Sequence, residues 1–288
     1  MANVLTYMLL FILLNVPCSS FAAGNQHGAS PAKVLQWDVL EEGLEMTRIS
    51  TRSSELETVP ALDSIRVLKI DPEKFEFRLF SARWEDDKAQ SLAQWAERKK
   101  LSAAINACMF QKDGVTATGY MREGEKYNNN RIASRYGAFF VSNPRSHGLP
   151  KAAVLNRSRE DWSSLLPQYE TVVQNFRLLD KDGQSLWPEN GPAHPISAIA
   201  ESHSGHILFL QCSAPVSVFN FLRILSRHPE LAVKSAMYTE GGKESSLMAR
   251  KNGTIFIWSG RSPVHYLFSP QREDIAIPNI LGAFRKSS

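Results

Sequence analysis

The stretch "AIAESHSGHILFLQCSAPVSVFNFLRILSRHPELAVKSAMYTEGG", residues 198–242, decides the fold. Apolar residues lead up to the polar stretch Glu201–His206 around Ser204-Gly205 and resume at Ile207, the pattern of a β-hairpin with the Ser-Gly pair at its tip. The period then changes. In "APVSVFNFLRILSRHP" (214–229) Val218, Phe221, Leu222 and Leu225 fall on one face of a helix, and Pro229 ends it. "SAMYTEGG" (235–242) is a short apolar strand that runs into a Gly-Gly corner. Strand, helix, strand and corner place Glu240 at the carboxyl end of a core strand, where α/β folds tend to hold ligands. Gly-Gly between β-favouring residues is also an ordinary turn signature, so Glu240 reads either as a reacting carboxylate or as one that accepts local amide hydrogen bonds.

Downstream, "SSLMARKNGTIFIW" (245–258) is a second hairpin with Asn252-Gly253 at its turn. Upstream, "VLQWDV" (34–39), "GLEMTRIS" (43–50), "IRVLKI" (65–70) and "FEFRLFSA" (75–82) read as strands, with a corner at Asp71-Pro72. "SLAQWAERKKL" (91–101) is a helix capped by Ser91 that leads into the strand "SAAINACMF" (102–110). Further strands are expected at 116–122, 136–142, 152–156 and 170–179, and a short helix around 160–166. The fold class is therefore α/β (α+β): a mixed β-sheet core with a few packing helices, in a single domain over residues 34–284.

The N-terminus carries an apolar run from Tyr7 to Val16, then Pro17 and a small-x-small site at Ser20-Phe21-Ala22. Residues 1–22 are expected to be a cleaved signal peptide, with an uncleaved anchor as the alternative, and residues 23–33 a flexible start to the mature chain. That places the protein outside the cytoplasm, secreted or periplasmic, with no stable membrane insertion after cleavage. The net charge of +4 lacks any clustered Lys/Arg run, which argues against nucleic acid as a partner. Cys108 and Cys212 would both survive cleavage and are either paired or buried as free thiols.

The common catalytic signatures are missing: there is no G-x-S-x-G elbow, Walker loop, G-x-G-x-x-G or H-E-x-x-H. His203 and His206 flank a Ser-Gly turn and read as a solvated hairpin tip before a metal pair, so neither metal nor cofactor is expected. Asn106, at a strand end, has the donor and acceptor to hold a sugar hydroxyl or phosphate oxygen, or to cap a turn. In "VVQNFRLL" (172–179) Gln174 lies on one side of a strand and Arg177 on the other, where a guanidinium could hold a phosphodiester or serve as a surface ion-pair partner.

Taken in order from Ile65 to Trp258, these blocks resemble the phosphodiester glycosidase family. Asn106, Ala107, Met109 and Phe110 match its first block, with Cys108 replacing a Gly. Gln174 matches the second, although Phe176-Arg177 stands where the family has Gly-Pro. His194-Pro195-Ile196 occupies the place of a family Arg, for which Arg177 is a substitute. Glu240-Gly241-Gly242 stands for Asp-Gly-Gly, Glu244 replaces a Ser, and Ser246 matches a later hydroxyl. The resemblance implies an exported hydrolase that cleaves a glycosidic bond to a phosphodiester or related sugar conjugate. Its carboxylates would be Glu240 and Glu244. Asn106, Gln174, Arg177 and Ser246 would position a glycan or sugar-phosphate substrate, Lys243 would offset the glutamates, and Gly241 and Gly242 would admit the substrate to the backbone. The alternative is a non-catalytic envelope protein that binds glycan through the same cleft.

Overall fold

Three antiparallel sheets enclose one central core, and each turns an outer face to a single helix. The computed structural model describes residues 34–51, 64–85, 88–180, 182–260 and 275–286. The expected signal peptide and flexible start lie outside these residues. The first sheet has six strands, in the order β1 (Asp38–Glu41), β2 (Leu44–Ser50), β3 (Ser64–Ile70), β13 (Ile207–Ser217), β12 (Ala193–Ser202) and β14 (Val233–Gly241). The second runs β10 (Ala152–Asn156), β9 (Ala138–Pro144), β11 (Tyr169–Asn175), β7 (Met121–Glu123) and β8 (Lys126–Asn129). The third runs β16 (Thr254–Ser259), β15 (Ser246–Lys251), β6 (Ala103–Asn106), β18 (Asn279–Arg285) and β4 (Phe75–Ser81). A two-stranded piece pairs β5 (Gln90–Ser91) with β17 (Ala276–Ile277).

Alternation along the strands sorts side chains between the inner and outer faces. Leu68, Phe209, Ile199 and Met237 of the first sheet meet Phe140 and Val173 of the second and Phe77, Ile105, Leu247 and Leu281 of the third. On the outer face of the first sheet, Val67, Leu210, Ala198 and Tyr238 pack against Val218, Phe221, Leu222 and Leu225, the four residues assigned to the helical stripe. That helix, α3 (Val218–Ser226), is capped at Ser217 and crosses from β13 to β14 past β12. The two strands it joins point the same way but are separated by an antiparallel neighbour. The strand-end rule of parallel sheets is thus not what places Glu240; the end of β14 does so within an antiparallel sheet.

Helix α1 (Leu92–Lys99) covers the third sheet, burying Leu92, Trp95 and Ala96. Its cap is as expected and complete: Gln94 N donates to Ser91 Oγ (3.3 Å) and Ser91 N to Gln94 Oε1 (2.9 Å). The short α2 (Trp162–Leu165) covers the second sheet, with Trp162 stacked on Phe139 at 5.5 Å. Both expected hairpins form. Asn252 and Gly253 take φ of 50° and 81°, the left-handed pair that a two-residue turn needs.

Several expectations differ from the structure: the strand expected at 34–39 is β1, Asp38–Glu41, and the one expected at 116–122 is only β7, Met121–Glu123. Strand β6 stops at Asn106, because the chain then turns to reach Asn279 O with Ala107 N. Strand β11 stops at Asn175, whose Oδ1 takes the Phe176 amide and breaks the ladder. Strand β8 was not foreseen, being polar enough ("KYNN") to read as a turn. Cys108 and Cys212 are free, buried on opposite faces of the first sheet. Among the described residues no helix is long and apolar enough to cross a membrane.

Candidate functional site

Direct cross-strand partners project from the same face of a sheet, so register alone locates the site. In the first sheet Leu68 pairs with Phe209, Phe209 with Ile199, and Ile199 with Met237, an apolar row on the inner face. Two residues along β3, β13 and β12, and three along β14 because a bulge there adds Thr239, the same face carries Arg66, Gln211, Ser197 and Glu240, each paired with the next. The row changes from apolar to polar at one end of the core. Arg66 is 4% exposed, Gln211 and Ser197 are fully buried, and Glu240 is 9% exposed. Such a buried polar row costs stability unless its groups are satisfied, which marks it as a site rather than packing.

Asn106 holds the third sheet to this row. Its Oδ1 accepts from Ser246 N (2.6 Å) and Ser197 Oγ (3.2 Å), and its Nδ2 donates to Glu244 O (2.8 Å). Ser197 Oγ reaches Glu240 O (3.3 Å) and accepts from Thr239 Oγ1 (3.0 Å). One carboxamide thereby joins β6, β12 and the segment after β14. Asn106→Ala removes three bonds and strands buried partners, so a loss of about 3 kcal/mol is expected in denaturant unfolding. A loss under about 1 kcal/mol would show that the two sheets meet without it.

Glu240 differs from the other inward carboxylates. Glu201 meets Lys234 Nζ (2.6 Å) and Val154 N (2.8 Å), and Glu123 accepts from Leu79 N and Thr171 Oγ1, both at 2.9 Å. For Glu240 the bond shown is local, from Gly241 N to Oε1 (2.9 Å). Burial pushes its pKa up to about 8; the Gly241 amide opposes the shift and the nearby Glu244 charge adds to it. Cys108 lies close enough for the Glu240 charge to add to the upward push that burial gives its thiol.

The Gly-Gly pair is a turn between sheets rather than a hairpin tip. Gly241 ends β14 with extended backbone, and a Cβ there would stand 2.1 Å from Tyr238 Oη and 2.7 Å from His194 Cδ2. Gly242 takes φ of +74° and opens a 3-10 turn through Glu244. Gly241 therefore serves close approach, and Gly242 backbone shape. His194 Nε2 contacts Tyr238 Oη at 3.1 Å, and burial lowers the imidazole pKa.

The structure thus brings together Glu240, Glu244, Asn106, Gly241, Gly242 and Ser246, whose hydroxyl donates to Ser259 Oγ (3.0 Å). Lys243 is exposed on the same turn. Gln174 is spent elsewhere: its carboxamide bonds the backbone of Tyr120, Ala133 and Tyr136, pinning the loop before β9. Arg177 donates to Asn156 Oδ1 and Ser158 Oγ, both at 2.6 Å. Neither set of contacts includes a member of the Glu240 cluster. Sequence reading missed Arg66, Ser197 and Gln211, because each is a polar residue in an apolar run and only register shows that they share a row with Glu240, and it missed Thr239, whose hydroxyl meets Ser197 across a bulge. The expected hairpin tip holds His206, whose Nδ1 bonds Ser204 Oγ (2.9 Å).

Comparison with known proteins gives the family and the fold. The phosphodiester glycosidase family matches residues 99–284, which contain Asn106 and the Glu240 turn. No curated protein sequence matches the chain. A hypothetical protein from Synechocystis superposes with TM-score 0.55 at 14% identity, over 88% of this chain and 64% of its own, so this chain spans somewhat under two thirds of that one. The catalytic domain of zebrafish N-acetylglucosamine-1-phosphodiester alpha-N-acetylglucosaminidase, auto-inhibited by its pro-peptide, superposes at 0.55 and 13% identity, over 83% of this chain and 87% of its own. A putative exported protein of Burkholderia pseudomallei gives 0.51 at 10% identity, over 76% and 73%. At these identities the likeness is one of fold. The extent of the family match, over residues 99–284 and thus over the whole second sheet and the strands β6, β14 and β15 that carry the cluster, is what assigns this chain: it belongs to the phosphodiester glycosidase family.

Proposed function

We infer that the protein is an exported hydrolase that cleaves the bond between a sugar's anomeric carbon and a phosphodiester oxygen. The observation that carries this reading is Glu240, a buried carboxyl with its pKa pushed up to about 8, at the polar end of the core beside Glu244. A carboxyl so placed is protonated at neutral pH and suits the general acid. Family membership supports glycosidic hydrolysis as the reaction class, and the zebrafish relative's name supports a sugar 1-phosphodiester as substrate.

In the reaction Glu240 gives its proton to the leaving oxygen as the carbon–oxygen bond breaks and the electron pair stays with that oxygen. Water adds at the anomeric carbon and loses a proton to the Glu244 carboxylate. Free sugar and a phosphomonoester are released. Asn106 fixes the Glu244 backbone, and Gly241 lets the Tyr238 hydroxyl and the His194 ring pack against the strand end that carries Glu240. Protonated Glu240 has a second role, since its ionised form would repel the anionic phosphodiester.

The test is sugar release from N-acetylglucosamine 1-(methyl phosphate) by wild type and Glu240→Gln. Release by the wild type alone is expected. Equal release by both proteins, or saturable glycan binding by a wild type without turnover, would replace this reading with that of a binding protein.

A further inference from the structure

The outer side of the first sheet holds a feature that the proposed reaction does not use. A cavity of about 440 Å³ opens beside α3, within the size range of small-molecule sites. Leu222 and Leu225 of the helix, Leu179, and Val233 at the start of β14 give it an apolar floor. Glu240 lies on the inner face, near the other end of β14, a separation of roughly 20 Å along the strand.

Backbone hydrogen bonds fix the walls. Leu186 N donates to Leu178 O (3.1 Å) and Asp180 N to Gln184 O (2.8 Å), which closes the loop that carries the lining residues Gln184 and Ser185. Leu178 N donates to Ala236 O (3.0 Å) and ties that loop to β14. Across the cavity, His203 N donates to Ala232 O (2.8 Å), so the tip of the β12–β13 hairpin is held to the 3-10 turn Pro229–Leu231. Ala232 keeps a φ of 47° to do so, a left-handed conformation unusual for alanine. The cavity is thus shaped by the fold, as binding sites usually are.

Its charge has one sign. Arg223, His203 and His228 line it, and no described lining residue is acidic. Arg223 and His203 are exposed, and among the described residues neither side chain makes an ion pair or hydrogen bond. The neighbouring carboxylates are engaged. Glu230 Oε1 meets His228 Nδ1 and Leu35 N, both at 3.3 Å, and Asp180 Oδ1 takes the amides of Asp182 and Gln184, both at 2.8 Å. Asp182 also has an interaction of its own. An unpaired guanidinium above an apolar floor fits an amphipathic anion, and the two oxygens of a carboxylate match the guanidinium fork. An exposed ion pair alone contributes little, so the apolar body must supply most of the affinity.

We propose that this cavity is a second ligand site, separate from the Glu240 cluster, that binds a carboxylate with an apolar tail: Arg223 holds the head group, and Leu179, Leu222 and Leu225 surround the tail. The site does not depend on the glycosidase reading and is measured without turnover.

The full chain is titrated in a calorimeter with acetate, butyrate, hexanoate and octanoate, and with hexylammonium and 1-hexanol as charge controls. Affinity is expected to rise roughly threefold per methylene from butyrate to octanoate. Hexanoate should bind more tightly than either control. Arg223→Gln removes no contact within the described protein, so it should melt as wild type does, bind octanoate at least about fivefold more weakly, and lose the rise in Tm that octanoate gives the wild type. Glu240→Gln should bind octanoate as wild type does, which separates the two sites. An affinity that is flat with chain length, hexylammonium binding as tightly as hexanoate, or octanoate affinity unchanged in folded Arg223→Gln overturns the proposal. Absence of binding by every carboxylate, with a dimer in sedimentation that Arg223→Gln dissociates, overturns it in favour of a second copy of this chain as the occupant.

Discussion

Glu240→Gln is expected to raise the stability of the protein at pH 9 by several kcal/mol, to leave it unchanged near pH 4, and to lower kcat about 10²- to 10⁴-fold. The sign follows from proton counting. In the unfolded chain the carboxyl loses its proton near its ordinary value of 4.5, whereas in the folded protein it keeps the proton up to about 8. Between those values the folded state holds the extra proton, so stability falls as pH rises through the window. Above it, holding a buried charge costs of order 5 kcal/mol. Glutamine has nearly the same shape and no charge to bury, so the variant escapes the cost only where the wild type is ionised. Thermal melts of both proteins at pH 4 and pH 9 measure it. A difference in Tm that is the same at both values would show that the Glu240 charge is already compensated in the fold.

Gly260→Ala is expected to be the most damaging single methyl addition near the site. A Cβ at Gly260 would stand 1.9 Å from the Gly242 carbonyl oxygen and 2.8 Å from Pro195 Cβ. The nearest atom belongs to backbone, which cannot rotate away as a side chain tip can. Gly260 N also donates to Ser245 O (2.7 Å), so displacing it pulls on the turn that follows Glu240. A loss of about 3 kcal/mol or more is expected, a fall in Tm of roughly 10 °C. Gly253→Ala is the natural control. A Cβ there meets nothing within 4 Å, but φ is +81°, so the cost should be only the left-handed backbone penalty of about 1 kcal/mol. Equal losses for the two variants would contradict the close approach of residues 242 and 260.

How far the sequence reaches can be judged from these same residues. The crossover helix was legible because Val218, Phe221, Leu222 and Leu225 recur at helical spacing, and each is buried against the outer face of the first sheet. Ser91 and the Asn252-Gly253 turn were legible because caps and tight turns rest on local chemistry. Asn106 and Glu240 stood out as polar residues at strand ends. Gln174 and Arg177 misled, since side-chain alternation tells which face a residue takes but not what meets it there. Backbone carbonyls of the Ala133–Tyr136 loop meet Gln174, and Asn156 and Ser158 meet Arg177. The Arg66–Gln211–Ser197–Glu240 row stayed hidden for the complementary reason. It is set by the register of four strands drawn from distant parts of the chain, and no local pattern encodes that register.

The central claim is that Glu240 acts as a protonated carboxyl on an anionic sugar conjugate. The dependence of kcat/KM on pH for wild-type hydrolysis of N-acetylglucosamine 1-(methyl phosphate) tests it most directly. A decline on the alkaline side through about pH 8, where the folded carboxyl ionises, is the predicted result. A profile that stays level through pH 9, or no hydrolysis at any pH, would contradict it.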